Sequence, residues 1–278
     1  MLIQLTATLV AGFALLTMTP GVHAEANFDA SYTISFARVR VGELTVAAVF
    51  GNSEYTISAR GRAGGVMKIL MDGEGSFSTQ GVFKHGHPLP TTFTSKMIAG
   101  SETSDVSMKI DEGTVQELGT VPPPSSNLVP VTDANRRGII DPLSAMLFRS
   151  GAAGEDMSQE VCRHTLPIFD GRLRYDLKLA FKRMDKVTAE KGYEGPVVVC
   201  SVAYEPIAGH RASTRLVKYL SEGREMEIAL APVAGTRLLA PFRMSVVSGL
   251  ANFVMEANRF EATAHPSDAQ IVADPKAQ

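Results

Sequence analysis

"RLRYDLKLAFK", residues 172–182, alternates without a fault. Leu173, Tyr175, Leu177, Leu179 and Phe181 fall on odd positions, while Arg172, Arg174, Asp176, Lys178 and Lys182 fall on even ones. Successive side chains of a strand point to opposite faces, so this stretch predicts a β-strand with one buried and one solvated side. The charges are the wet side, with Arg174, Asp176 and Lys178 spaced to pair weakly. Asp170-Gly171 ahead of it is a turn signal. It makes "TLPIF" (165–169) the other arm of a hairpin, with Cys162 on that first arm.

The same period runs through the chain. In "DASYTISFARVRVGELTVAAVFG" (29–51), Tyr32, Ile34 and Phe36 are followed by Leu44, Val46, Ala48 and Phe50. This predicts two strands around a turn near Val41–Glu43, then a third on Tyr55, Ile57 and Ala59. "GEGSFSTQGVFK" (73–84), "TTFTSKMI" (91–98) and "SDVSMKI" (104–110) continue as short β segments, and Asp111-Glu112-Gly113 turns into "TVQELGTV". Short, half-wet strands separated by turns predict an antiparallel sheet, not parallel strands crossed by helices. Helices are few. One turn is expected over 63–71, and another over 213–223. The best case covers 141–149, with Asp141 as N-cap, Pro142 at the first helical position and Leu143, Met146 and Leu147 on one stripe. The Pro/Ser/Asn-rich stretch 121–138 divides two domains or crosses one sheet; like strand patterning on both sides favours the second.

Composition excludes some functions. The 278 residues carry 27 basic and 29 acidic side chains, a formal charge of −2. No net field favours nucleic acid, and no basic run is interleaved with aromatics. Residues 1–24 hold an apolar run, a Pro20-Gly21 breaker and Val22-His23-Ala24. They read as a secretory signal peptide cut after Ala24, and the run is short of the ~20 residues that span a bilayer. No later segment is apolar and long enough to span, so the mature chain is expected to be exported to the periplasm and not membrane-spanning. Export makes the two cysteines, Cys162 and Cys200, a disulfide pair. Closing that loop would contribute about 4 kcal/mol by chain entropy. The other reading of Cys162, a metal ligand beside His164, has no second spaced pair. His85 and His87 likewise have no acidic or thiol partner at ligand spacing. His210-Arg211 reads as a turn.

No nucleophile elbow, phosphate loop or dinucleotide fingerprint is present. No catalytic residue, metal ligand or cofactor is therefore assigned.

"SYTISFARVRVGEL", "DPLSAML", "CRHTLPIFDGRLRYDLKL", "GPVVVCSVAYEPIAGH" and "EIALAPVAGTRLLAPFRMSV" together resemble a family of Gram-negative envelope proteins known as domain of unknown function 3108. The resemblance covers nearly the whole mature chain. That family is distantly similar to the lipoprotein carriers LolA and LolB and to β-spiral envelope-integrity proteins. The resemblance implies a strongly curved antiparallel half-barrel or spiral around a short helix, and a role in the cell envelope. The domain plan is then a leader (1–24), one curved sheet (25–264) and a flexible tail (265–278).

A curled sheet with an apolar inner side encloses a space that side chains, a helix or a ligand must fill. The candidate ligand-binding residues are Leu143, Met146 and Leu147 on the central helix, with Leu177, Leu179, Phe181, Phe242 and Met244 on strands. The expected occupant is a lipid or acyl chain. The alternatives are a non-catalytic scaffold that binds an envelope protein, and a hydrolase-type enzyme.

Overall fold

A computed structural model describes residues 24–64, 73–150, 157–222, 225–247 and 252–264. Residues 1–23 of the leader, the tail, and residues 65–71 of the helical turn expected over 63–71 lie outside the described residues.

Seven strands come first: β1 (Ala24–Phe36), β2 (Val39–Gly51), β3 (Glu54–Ala63), β4 (Gly73–Lys84), β5 (His87–Ala99), β6 (Glu102–Asp111) and β7 (Thr114–Val121). After a long excursion come β8 (Phe148–Arg149), β9 (Thr165–Phe169), β10 (Arg174–Thr188), β11 (Lys191–Gly192) and β12 (Glu194–Ala208). Helix α1 (Arg215–Ser221), β13 (Glu225–Val233), β14 (Leu238–Val247) and β15 (Phe253–Ala264) complete the chain. The first seven strands are a meander of hairpins, and β1 pairs on its other side with β15. From there the order runs β14, β13, β12, β10, β9. The result is one curved sheet, antiparallel apart from the short β11, whose ends β7 and β9 are not paired with each other. Strands before and after the 121–138 loop belong to this same sheet. The loop runs beside the end of β12, where Val129 N–H donates to His210 O at 2.9 Å and Gly209 N–H donates to Val129 O at 2.8 Å.

Two local expectations are corrected. The β1–β2 turn is at Ala37-Arg38, both in the left-handed region (φ 49° and 67°), and not at Val41–Glu43. Pairing Tyr32 with Leu44 and Phe28 with Ala48 puts both apolar rows on one face, and that register places Gly42 inside β2. Cys162 is not on the hairpin arm but in a 3-10 turn, Gln159–Cys162, just before β9. The β9–β10 hairpin itself forms as read, with Phe169 opposite Arg174 and Gly171 at φ 90° in the turn.

The inner face carries a core of Phe28, Tyr32, Phe50, Ile57, Val197, Val199, Phe242 and Phe260, with Phe28 and Phe260 edge to face at 4.8 Å. Parts of β12, β13 and β14 are buried on both faces, at the unbroken apolar runs "VVVC" and "ALAPV" and at Leu238–Phe242. Val197, Val198, Val199 and Cys200 are all fully buried. Their outer side packs with Phe148, Val161, Cys162 and Leu179 in a second cluster. A disulfide joins Cys162 to Cys200 there, with Cα atoms 5.4 Å apart and a sequence separation of 38. It removes Cys162 from any metal reading.

The open seam between β7 and β9 is bridged without strand pairing. Ile139 N–H donates to Gly113 O at 2.9 Å, Ile140 N–H to Pro167 O at 3.0 Å, and Phe169 N–H to Ile140 O at 3.0 Å. Ile139 and Phe169 then share a third core with Phe93, Val106 and Met108. Arg172 Nη2 completes the bridge, donating to Val121 O and Pro122 O, each at 3.0 Å.

Candidate functional site

The residues after Ile140 cross the inner side of the sheet as a strap. The helix expected over 141–149 is only one 3-10 turn, Ser144–Met146. Its backbone is claimed at both ends. Ile140 is bound to β9, while Phe148-Arg149 pair with Leu239-Leu238 of β14 and Ser150 N–H donates to Arg237 O at 2.9 Å. Too few residues remain between these anchors for a longer helix. Asp141 still caps the turn, its Oδ1 accepting from the Leu143 N–H at 2.9 Å and the Ser144 N–H at 3.1 Å.

Under the strap lies an apolar cavity of about 240 Å³. Its walls include Phe28, Leu44, Phe50 and Ile57 of the N-terminal strands, Met255 of β15, and Pro142, Leu143, Met146 and Leu147 of the strap. Tyr32 brings the one lining hydroxyl, and it donates to Pro241 O at 2.7 Å. Burial pushes its ionisation above the usual phenol range. No charged side chain lines the cavity. The arrangement can hold an apolar group against apolar walls.

A buried polar cluster fastens the strap to β3 and β4. Asp141, Ser144 and Thr79 are each at most 1% exposed. Tyr55 Oη and Ser144 Oγ are 2.7 Å apart, and Thr79 Oγ1 lies 3.0 Å from Asp141 Oδ2. Burial raises the Asp141 carboxyl above the ordinary carboxylate range, against the opposing pull of hydrogen bonds from Ser144, Thr79 and Leu143. Sequence reading had Asp141 only as a cap; nothing local marks Tyr55 or Thr79 as its neighbours.

Of the residues singled out from sequence, Leu143, Met146, Leu147 and Met244 line the cavity. Phe242 is in the inner core beside Phe260 and Tyr193, away from the cavity wall. Leu177, Leu179 and Phe181 are on the outer side, packed with the disulfide cluster. Met146 and Met244 touch both regions. Of the lining residues that were missed, Leu44, Phe50 and Ile57 belong to the apolar rows read from the sequence, while Phe28, Phe77 and Met255 lie outside those rows. What the pattern does not say is which of them face one another. His85 and His87 flank the β4–β5 turn, and among the described residues no three His, Cys, Asp or Glu side chains are grouped to hold a metal. No helix among them is long and apolar enough to cross a membrane.

Comparison with known proteins gives a family and little more. The family described as "Protein of unknown function (DUF3108)" matches residues 31–257. No curated protein matches. A crystal structure of a beta-barrel-like protein of domain of unknown function DUF1849 from Brucella abortus is similar over 87% of this chain and 99% of its own, at 10% identity and a TM-score of 0.42.

Proposed function

Because this chain belongs to the DUF3108 family, whose description assigns no activity, we propose its function from the cavity: it is an exported envelope protein that binds the apolar part of a lipid-like ligand beneath the strap. The observation that carries this reading is a 240 Å³ space lined by apolar side chains, with its one hydroxyl already engaged. An apolar cavity of ~150 Å³ stays dry and takes a benzene. At the same ~25 Å³ per carbon, this one takes an alkyl chain of roughly nine or ten carbons. The buried disulfide and the leader-like residues 1–24 support export to the periplasm. Calorimetric titration with decan-1-ol tests the reading. Saturable binding is expected, and Ala59→Phe, which projects a ring into the cavity, should abolish it without unfolding the protein. A wild-type protein that takes up no alkyl ligand, and carries no lipid in native mass spectrometry, ends the proposal.

A second reading has its own observation. Phe36, Val39, Val247 and Phe253 are 50%, 46%, 36% and 40% exposed at the neighbouring β1–β2 and β14–β15 tips. Such a patch suits a scaffold that docks an envelope protein. Site-specific photo-crosslinking from position 36 in cells should give one reproducible product if this holds, and none if it does not.

A further inference from the structure

The β1–β2 turn, "FARVR" (36–40), is exposed at every residue. It puts two large apolar side chains and two arginines on five residues. Ala37 N–H donates to Asn252 O at 3.0 Å, which ties the turn to the start of β15. Strand pairing then assembles one transverse row: Val39 is opposite Phe36, Phe36 opposite Phe253, and Phe253 opposite Val246. Directly paired residues share a face of the sheet, so these four point the same way. Two residues further along the same strands, ~7 Å inward, Met255 is opposite Met244, and both line the cavity. The apolar wall of the cavity thus continues on one face to an exposed edge.

The charge around this edge is one-sided. Among the described residues Arg38 makes no ion pair, and its side chain is exposed. Arg40 and Arg62 share one carboxylate, Glu43, at 2.7 Å and 3.2 Å. Glu225, opposite Val247 on the neighbouring hairpin, is held by Lys182. A stable protein interface draws ~20–30 residues from each side, and four side chains at adjoining strand ends fall well short of that. Apolar tips flanked by arginines suit the boundary of a bilayer instead. There the apolar groups enter the acyl region while guanidinium groups stay with the phosphates.

We propose that this rim is a peripheral membrane-docking surface: Phe36, Val39, Val246 and Phe253 enter the headgroup boundary of a phospholipid bilayer, and Arg38 meets its anionic lipids. The assignment goes beyond the cavity reading, and it puts a lipid surface where the scaffold reading puts a protein. Flotation with vesicles of phosphatidylcholine and phosphatidylglycerol in equal parts tests it. Wild-type protein should float with them, and less with phosphatidylcholine alone. Phe36→Ser combined with Phe253→Ser should weaken partition about tenfold or more. Arg38→Asn, a residue that tolerates the left-handed turn, should weaken it about fivefold, and only on anionic vesicles. These side chains are exposed, so unfolding midpoints measured alongside should not move. The chain has no tryptophan, which makes Phe253→Trp a direct reporter. Its emission should shift to the blue on vesicles and be quenched by lipids brominated on their acyl chains. Wild-type protein that does not float, flotation that survives both serine substitutions, or Phe253→Trp emission that vesicles leave unchanged overturns the docking surface. A reproducible protein crosslink from position 36 in place of flotation overturns it too, in favour of the scaffold reading. Calorimetry with decan-1-ol in the absence of vesicles decides the cavity reading separately, so either can fail alone.

Discussion

The single hydroxyl proton of Thr79 faces two acceptors at once: the Thr92 carbonyl at 2.9 Å and Oδ2 of Asp141 at 3.0 Å. Both contacts are satisfied when Asp141 is protonated and donates to Thr79 Oγ1, which in turn donates to Thr92 O. That agrees with the direction in which burial moves the carboxyl. An acid whose folded pKa is raised contributes stability that is fully present below its unfolded value, about 3.8, and is lost as pH rises through the folded value. Asp141→Asn mimics the protonated form. Wild-type stability relative to this variant should therefore fall between about pH 4 and about pH 7 in urea titrations. Asp170, also raised by burial, is common to both proteins and cancels. Asp141→Ala should cost about 1–3 kcal/mol at either pH, because it orphans the Leu143 and Ser144 N–H groups.

The disulfide ties the turn before β9 to the outer face of β12, with both cysteines fully buried. Replacing both by alanine should lower stability by about 4 kcal/mol, the chain-entropy value for a loop of this length. Equilibrium unfolding with and without reductant checks this. Wild type should converge on the variant once reduced.

Arg172 closes the seam through charge-assisted bonds to the carbonyls of Val121 and Pro122. Arg172→Ala should cost about 1–3 kcal/mol and speed amide exchange in β7 and β9, the two sheet ends, with little change in β1 or β15. Gly171→Ala attacks the same seam from the other side. A Cβ there meets Val106 Cγ1 at 2.2 Å at a φ of 90°, so the loss should be at least as large.

Leu147 is 8% exposed and lines the apolar cavity. Truncation to alanine should cost about 2–5 kcal/mol, toward the upper end because the void grows rather than collapses. Added decan-1-ol should raise the melting temperature of Leu147→Ala more than that of wild type, since the ligand binds only the folded state and the enlarged cavity holds it better.

How far the sequence led depends on the range of the interaction. The odd row of β10 and the cysteine pair are consequences of local pattern and compartment, and each was readable; the burial of Val197–Cys200 on both faces departs from the half-wet strands expected, because the disulfide cluster covers their outer side. The strap was not. "DPLSAML" has sound helix-start chemistry, and its capping carboxylate does cap. But Ile168 and Leu239, tens of residues away, take the backbone on either side of it. The cavity was half legible for the same reason. Phe50 and Ile57 alternate into a buried row, yet Met255 joins them only because β15 returns to lie beside β1. The interior assignment of Leu177, Leu179 and Phe181 followed from alternation, which separates two faces without saying which is the inner one. The outer cluster around the disulfide claims them.

Strand β1 finds its second partner in β15, and the strap leaves the interior along the edge of β14 that β15 also uses. A chain emerging amino end first therefore holds an unmatched leading edge until Phe253–Ala264 arrive. Shortening the carboxyl end into β15 would strip the shell of its fastening stitch and leave the inner void open to water on that side.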